Sequence, residues 1–196
     1  MGRKARRVPV SPDARDVKQL SADEIALILR GADDLIMRGG RTLLAKVVMG
    51  SREKKIIELD LDQSPAYGKM DKLTKNMVLA RIDWLILNGY LAIEYDGRLP
   101  LLVYTPRGWE IERDTYAAEM HARVDALIAG SDTPPYLAWL NDKHREVVML
   151  LLDRIEATGD PAYIPALEAW AGNTYKKIRQ RIRLVLKSFS YHILQQ

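Results

Sequence analysis

Apolar residues first take up a regular period at Ile25, Ile28, Leu29, Leu35 and Ile36, the three-and-four spacing of one helical face. Ser21 and Glu24 precede this run at the spacing of a capping box, in which hydroxyl and carboxylate each satisfy an amide at the helix start. Gly31 is a candidate break, and Gly39-Gly40 is expected to close the helix in the left-handed conformation. A second helix is predicted over 41–49, up to Gly50-Ser51. There Ser51 is placed to cap a third helix running to about residue 59. Residues 62–68 (DQSPAYG) read as a loop. Met77, Val78, Ile82, Leu85 and Ile86 then share one face of a helix over 72–88, closed by Gly89.

The pattern changes at that glycine. Residues 90–95 (YLAIEY) and 101–105 (LLVYT) are short runs rich in aromatic and branched side chains, with Asp96-Gly97 between them as a hairpin signal. Three helices followed by a two-stranded hairpin is the order of a winged helix-turn-helix. After Pro106 and Gly108 the pattern is helical again to about residue 129. Residues 131–135 (SDTPP) read as a linker, and helices are predicted near 142–157, 162–171 and 174–189. In the last of these, Tyr175, Ile178, Ile182, Val185 and Phe189 fall in one arc, opposite Lys176, Arg179, Arg183 and Lys187.

Composition narrows the chemistry. The chain has 196 residues, 47% of them hydrophobic, enough to fill one large core or two small ones, and no cysteine. That removes disulfides, thiolate metal sites and thiol catalysis, and it is compatible with a reducing compartment. The longest aliphatic run, residues 147–152, is far short of the roughly 20 residues that span a bilayer, and the expectation is an intracellular protein, in the cytoplasm or nucleoid if bacterial. Net charge is only +4, but it is unevenly placed: residues 1–20 carry +4, residues 174–196 carry six basic residues and no acid, and the 153 between sum to −6. Basic ends around an acidic middle suggest a polyanionic partner. Residues 1–20 show no hydrophobic period and read as a flexible basic arm.

The ordered pieces VVMGS (47–51), AYG (66–68), LILNGYL (85–91) and P-x-L-x-x-T-x-x-G (100–108) resemble the RQC domain, the winged helix that follows the motor in RecQ-family DNA helicases. The resemblance covers about residues 35–112. It implies that the G-S turn before the third helix grips a duplex phosphate, with Ser51 as the turn serine and Lys55 as a basic partner. Lys69 and Lys72, around the start of the recognition helix, and Thr74 on its first turn are further candidates. A helix N-terminus suits a phosphate because its amides are free and its dipole end is positive. The chain departs from the family pattern in three ways. Met49 stands where family members carry an arginine. The hairpin is shorter, leaving Tyr95 as the residue that could act as a wedge. Neither an ATP-binding G-x-x-x-x-G-K-[ST] loop nor a zinc-ligating cysteine set is present.

Each candidate has a plainer alternative. Ser51 with Arg52, Lys54 and Lys55 is either a phosphate clamp or an ordinary helix cap with a solvated first turn. Lys69, Lys72 and Lys75 flank Asp71 and form either a DNA face or a charged surface. Trp84, Trp109, Trp139 and Trp170 suit core packing better than base stacking. The basic face of the last helix either contacts nucleic acid, as part of a second helix-turn-helix, or faces solvent. His121, His144 and His192 are isolated, and Asp33-Asp34 and Asp60-x-Asp62 lack any accompanying acid or nucleophile, so no enzyme, metal or cofactor is expected.

The sequence thus predicts a mainly α protein with a small β-hairpin: a basic arm (1–20), an RQC-like winged helix (21–115) and a helical C-terminal module (116–196). The expected function is structure-selective DNA binding at forks, ends or junctions, without a motor of its own. The expected DNA-binding residues are Ser51, Arg52, Lys54, Lys55, Lys69, Lys72, Thr74, Lys75, Tyr95, Arg98, Lys176, Arg179, Arg183 and Lys187. Repair, recombination or replication is the expected setting, with a helicase as a possible second partner and no membrane. The alternatives are a winged-helix regulator reading an operator through Lys72, Lys75, Asn76 and Arg81, and a protein-interaction module that docks a helicase.

Overall fold

The first helix begins at the capping box. In the computed structural model Ser21 Oγ accepts the Glu24 amide at 3.1 Å, and Glu24 Oε2 accepts the Ser21 amide at 3.2 Å, fixing the start of α1 (Ala22–Ala32). The structure describes residues 7–130 and 133–193, with no side chains from residue 191 on. Arg3, Lys4 and Arg6 of the arm, Ser131 and Asp132 of the linker, and the His192 side chain lie outside the described residues. The chain divides into two compact units, Met1–Glu112 and Arg113–Gln196.

In the first unit α1 is followed by α2 (Arg41–Val48), the short α3 (Lys54–Glu58), α4 (Lys75–Leu87) and an antiparallel hairpin of β1 (Leu91–Asp96) and β2 (Leu99–Tyr104). The register runs from Leu91 opposite Tyr104 to Asp96 opposite Leu99. The fold is therefore a winged helix, mainly α with one small sheet. Its core is built from Ile28, Leu29, Leu35, Leu44, Val48, Ile56, Ile82, Leu85 and Leu102, all essentially without solvent exposure. The helix α5 (Pro106–Ala129) follows β2, and the division between the units falls within it.

Three backbone approaches lock this arrangement. A Cβ on Gly108 would lie 1.9 Å from the carbonyl oxygen of Tyr90, one on Gly40 would lie 2.8 Å from that of Pro100, and one on Gly50 would lie 3.0 Å from Gly68 Cα. Around the first contact the Thr105 hydroxyl donates to Gly89 O at 2.6 Å and accepts the Gly108 amide at 3.1 Å. Arg107 lies 4.0 Å from the Tyr90 ring centroid and donates to Asn88 O at 3.0 Å. The N-G-Y and T-x-x-G pieces are thus two sides of one packing contact.

Several local expectations are corrected. Gly31 does not break α1; it is buried inside it, because a Cβ there would meet Val48 Cγ1 at 3.0 Å. The left-handed residue after α1 is Met37 (φ +57), not Gly39, whose carbonyl accepts the Leu102 amide at 2.9 Å. Ser51 does not cap α3: that position is Glu53, and Ser51 Oγ accepts the Glu53 amide at 3.3 Å, in the turn before it. The hairpin turn is Gly97-Arg98, one residue later than expected, because Asp96 still pairs with Leu99. Thr74 is the N-cap of α4, not part of its first turn, and its side chain accepts the Met77 amide at 3.4 Å.

The described part of the arm makes specific contacts with the rest of the first unit. Residues 7–20 form no helix or strand but are tied to the wing and to α4 by long-range hydrogen bonds. The Val8 amide donates to Arg98 O at 3.1 Å, and the Tyr95 hydroxyl donates to Val8 O at 3.0 Å. The Asp13 amide donates to Asp83 Oδ2 at 3.0 Å, and Trp84 Nε1 donates to Lys18 O at 3.2 Å. Asp83 is buried and also receives Arg41 at 2.5 Å, so its charge is paired where desolvation would otherwise be costly.

The second unit contains α6 (Arg145–Thr158), α7 (Ile164–Gly172) and α8 (Lys176–Ile193). Val147, Leu151, Ile155, Leu167, Trp170, Ile182, Val185 and Phe189 form its interior. Trp170 Nε1 donates to Asn141 Oδ1 at 3.0 Å, and the Tyr163 hydroxyl, 2.9 Å from His121 Nε2, donates to the Asp125 carboxylate. Arg181 ties α8 to α6 through Asp153, at 2.7 Å, and Glu156. Its hydrogen bond holds the Glu156 carboxyl below the ordinary carboxylate range.

Gly108→Ala is expected to destabilise the first unit by about 3 kcal/mol or more in urea unfolding, since backbone rather than a flexible side chain must yield. Gly172→Ala, which meets nothing within 4 Å, should change stability by no more than about 0.5 kcal/mol. The Glu156 contact makes a pH prediction. A carboxyl with a lowered folded pKa adds stability above its ordinary value of about 4.5, and this is lost as pH falls through the folded value. The stability difference between wild type and Glu156→Gln should therefore narrow on acidification below about pH 4.5; a constant difference would contradict it.

Candidate nucleic-acid interface

The expected phosphate-gripping turn is built at the end of α2. Gly50 takes φ +74 there, which an L side chain rarely adopts, and its amide donates to Val47 O at 2.9 Å. The Ser51 amide then donates to Lys46 O at 2.9 Å. Residues 66–70 cross over this turn: the Gly68 amide donates to Val47 O at 3.1 Å and the Met70 amide to Val48 O at 2.7 Å. The Tyr67 hydroxyl donates to Ser51 O at 3.0 Å and pins the turn from outside. The fold thus brings Ser51 and Arg52 beside the segment that carries Lys69, sixteen or more residues later in the chain.

The surrounding cations differ in how they are engaged. Lys46 pairs with Glu53 at 2.6 Å, and Lys54 with Glu58 at 3.1 Å. Arg52, Lys55, Lys69, Lys72 and Lys75 are exposed and form no ion pair among the described residues. Lys72, Thr74 and Lys75 sit at the start of α4. Farther along that helix the side chains are used internally: Arg81 Nε donates to Glu24 Oε1 at 2.9 Å, and Trp84 holds the arm. Burial opposes ionisation of Glu24, but the hydrogen bonds from Arg81 and the Ser21 amide outweigh it and lower the carboxyl pKa.

On the wing, Tyr95 lies on β1 opposite Pro100, behind the turn. Its hydroxyl is bonded to the arm, and the Arg7 guanidinium carbon lies 4.9 Å from its ring centroid. Arg98 is at the tip and exposed, and Leu99 beside it is 61% exposed. Lys176, Arg179, Arg183 and Lys187 belong to the second unit. Lys176, Arg183 and Lys187 are exposed, whereas Arg179 donates to Ala171 O at 2.8 Å and Thr174 O at 2.7 Å, closing the turn before α8. Sequence reasoning missed Lys46, Tyr67 and Leu99. Tyr67 stood inside the AYG motif, but nothing in the spacing reveals that its hydroxyl reaches Ser51.

A family model of the RQC domain matches residues 11–127, more than half of the chain. The chain belongs to the RQC-domain family. The match reaches beyond residues 35–112 on both sides, taking in the end of the arm, α1 and most of α5. Neither the curated proteins nor the solved structures gave a match. RQC domains are non-catalytic DNA-binding domains, so membership points to nucleic-acid binding or a helicase-associated role of the RecQ kind.

Tyr67→Phe removes the hydroxyl that pins the Ser51 carbonyl while keeping the ring. It should cost about 1 kcal/mol in unfolding and speed amide exchange around residues 50–53 without disturbing the hairpin. Unchanged exchange in that turn would show that the hydroxyl does not hold it.

Proposed function

We propose that the first unit grips the backbone of duplex DNA near forks, ends or junctions, in repair, recombination or replication. The observation that carries this reading is the Gly50-Ser51 turn. It is braced by Tyr67 and Gly68, with Arg52, Lys55 and Lys69 exposed around it and engaged by no carboxylate among the described residues. The Ser51 hydroxyl accepts the Glu53 amide, which leaves its hydrogen to donate to a phosphate oxygen. Lys72 and Lys75 extend the cationic surface to the capped start of α4, where unpaired amides favour an anion.

The same geometry favours backbone over base recognition. A helix that reads an operator must present a row of free side chains to the major groove. Past its first turn α4 spends Arg81 on Glu24, Trp84 on the arm and Asp83 on Arg41. Phosphate contacts position a protein while carrying little sequence information. Discrimination would then come from DNA shape, with the exposed Arg98 and Leu99 of the wing tip set against a duplex end.

Fluorescence anisotropy tests this with a fork, a blunt duplex, a four-way junction and a single strand of matched length, each at several salt concentrations. Fork, end or junction should bind tightest, with affinity falling steeply as salt rises. Arg52→Ala, Lys55→Ala and Lys69→Ala together should lower the salt slope on duplex by roughly 0.9 per lost phosphate contact, and Ser51→Ala with Lys55→Ala should weaken binding. Equal, weak and variant-insensitive binding to all four would overturn the reading in favour of an operator sequence or a protein partner.

A further inference from the structure

The last helix carries a second cationic surface whose shape differs from the one its sequence pattern suggests. Arg179 and Arg181 are both used internally, the first on the turn before α8 and the second on Asp153 and Glu156 of α6. Lys176, Gln180, Arg183 and Lys187 form one exposed stripe at intervals of four, three and four residues. Lys177 and Leu184 flank it, the latter 59% exposed. At 1.5 Å per residue the stripe is about 16 Å long, and no acid lies between residues 174 and 196 to interrupt it.

Tyr175 supplies the second observation. Periodicity puts it in the buried arc with Ile178 and Ile182, yet it is 65% exposed, because it precedes the first residue of α8 and does not follow the helical phase. Its position is fixed from behind. Its carbonyl accepts the Arg179 amide at 2.9 Å, Arg179 holds the carbonyls of Ala171 and Thr174, and the Thr174 hydroxyl donates to Asn141 Oδ1 at 2.6 Å. The Tyr175 side chain makes no hydrogen bond or ring contact among the described residues. An aromatic ring held on a rigid turn, open to solvent and leading into a cationic stripe, is the combination that binds unpaired bases: the ring stacks on a base and the cations follow the backbone.

We infer that Tyr175 with Lys176, Lys177 and Arg183 forms a binding surface for single-stranded nucleic acid, separate from the first unit. The stripe matches on the order of five nucleotides at the 3.4 Å rise of a stacked strand. A duplex would engage the cations but would have no use for the ring.

The test uses the full chain carrying Arg52→Ala, Lys55→Ala and Lys69→Ala, which removes the exposed cations around the Ser51 turn, and a labelled twelve-nucleotide thymidine strand. Tyr175→Ala should weaken binding on the order of tenfold, and Tyr175→Phe should restore it. Lys176→Ala, Lys177→Ala and Arg183→Ala together should lower the salt slope by roughly 0.7 per lost contact. All of these positions are exposed, so the unfolding transition should not move. Charge sensitivity without any effect of Tyr175→Ala would overturn the stacking surface, and insensitivity to every α8 change would overturn the site. Because every variant compared shares the same altered first unit, either result reads the second unit alone and is independent of how forks and junctions are bound.

Discussion

At Gly108 the helix α5 passes so close to the chain at Tyr90 that a single added carbon would lie 1.9 Å from a carbonyl oxygen. The path from α4 into β1 and the path from β2 into α5 are fastened together there, and the Thr105 hydroxyl bonds both. Gly40 against Pro100 does the same between the start of α2 and the wing, and Gly50 against Gly68 does it between the end of α2 and the approach to α4. Side chains can repack around a substitution; backbone in contact with backbone cannot. These approaches set where the hairpin leaves the helices and where the Ser51 turn meets the Lys69 segment, so the candidate interface inherits its geometry from them.

The same constraint explains which sequence signals carried information. The pieces that resemble the RQC domain contain Gly50, Gly68, Gly89, Tyr90, Thr105 and Gly108, nearly all of them partners in these contacts. They were legible because a steric requirement leaves one residue type at a fixed place. The capping box at Ser21 and Glu24 was legible for a similar reason, its two hydrogen bonds closing within four residues. The arm was not. Its ties run from Val8 to Arg98 and to Tyr95, from Asp13 to Asp83 and from Lys18 to Trp84, and on the arm's side all four use a backbone amide or carbonyl, which carries no residue-type signal. Tyr175 was misplaced because a helical period was extended one residue ahead of the helix start.

Charge shows the opposite limit. Sequence gives the number of cations, while the fold decides which are available. Arg30, Arg41, Arg81 and Arg181 are drawn into pairs with carboxylates, and Arg179 into backbone carbonyls. Among the cations left exposed in the first unit are those around Ser51, at the start of α4 and at the wing tip. Several planar, multiply donating guanidiniums are taken for internal ties, and around Ser51 and the start of α4 the exposed cations are mostly lysine, which suits contact with a backbone of point charges better than bidentate reading of bases.

The wing tip bears on what such an interface could accomplish. With Tyr95 bonded to the arm, Leu99 is the apolar side chain presented near the tip, and fully burying a leucine contributes roughly 1.5–3 kcal/mol. Unstacking a base step costs about a few kcal/mol. The two are of the same order, so on the reading proposed here this wing could hold one frayed pair open at an existing end, where stacking is already incomplete. It has no surplus with which to melt a second. On that same reading, structure selectivity would follow from the balance: an intact duplex asks for more than the tip returns, whereas a fork offers its opening already made. Advancing the opening along a duplex would need work from a motor.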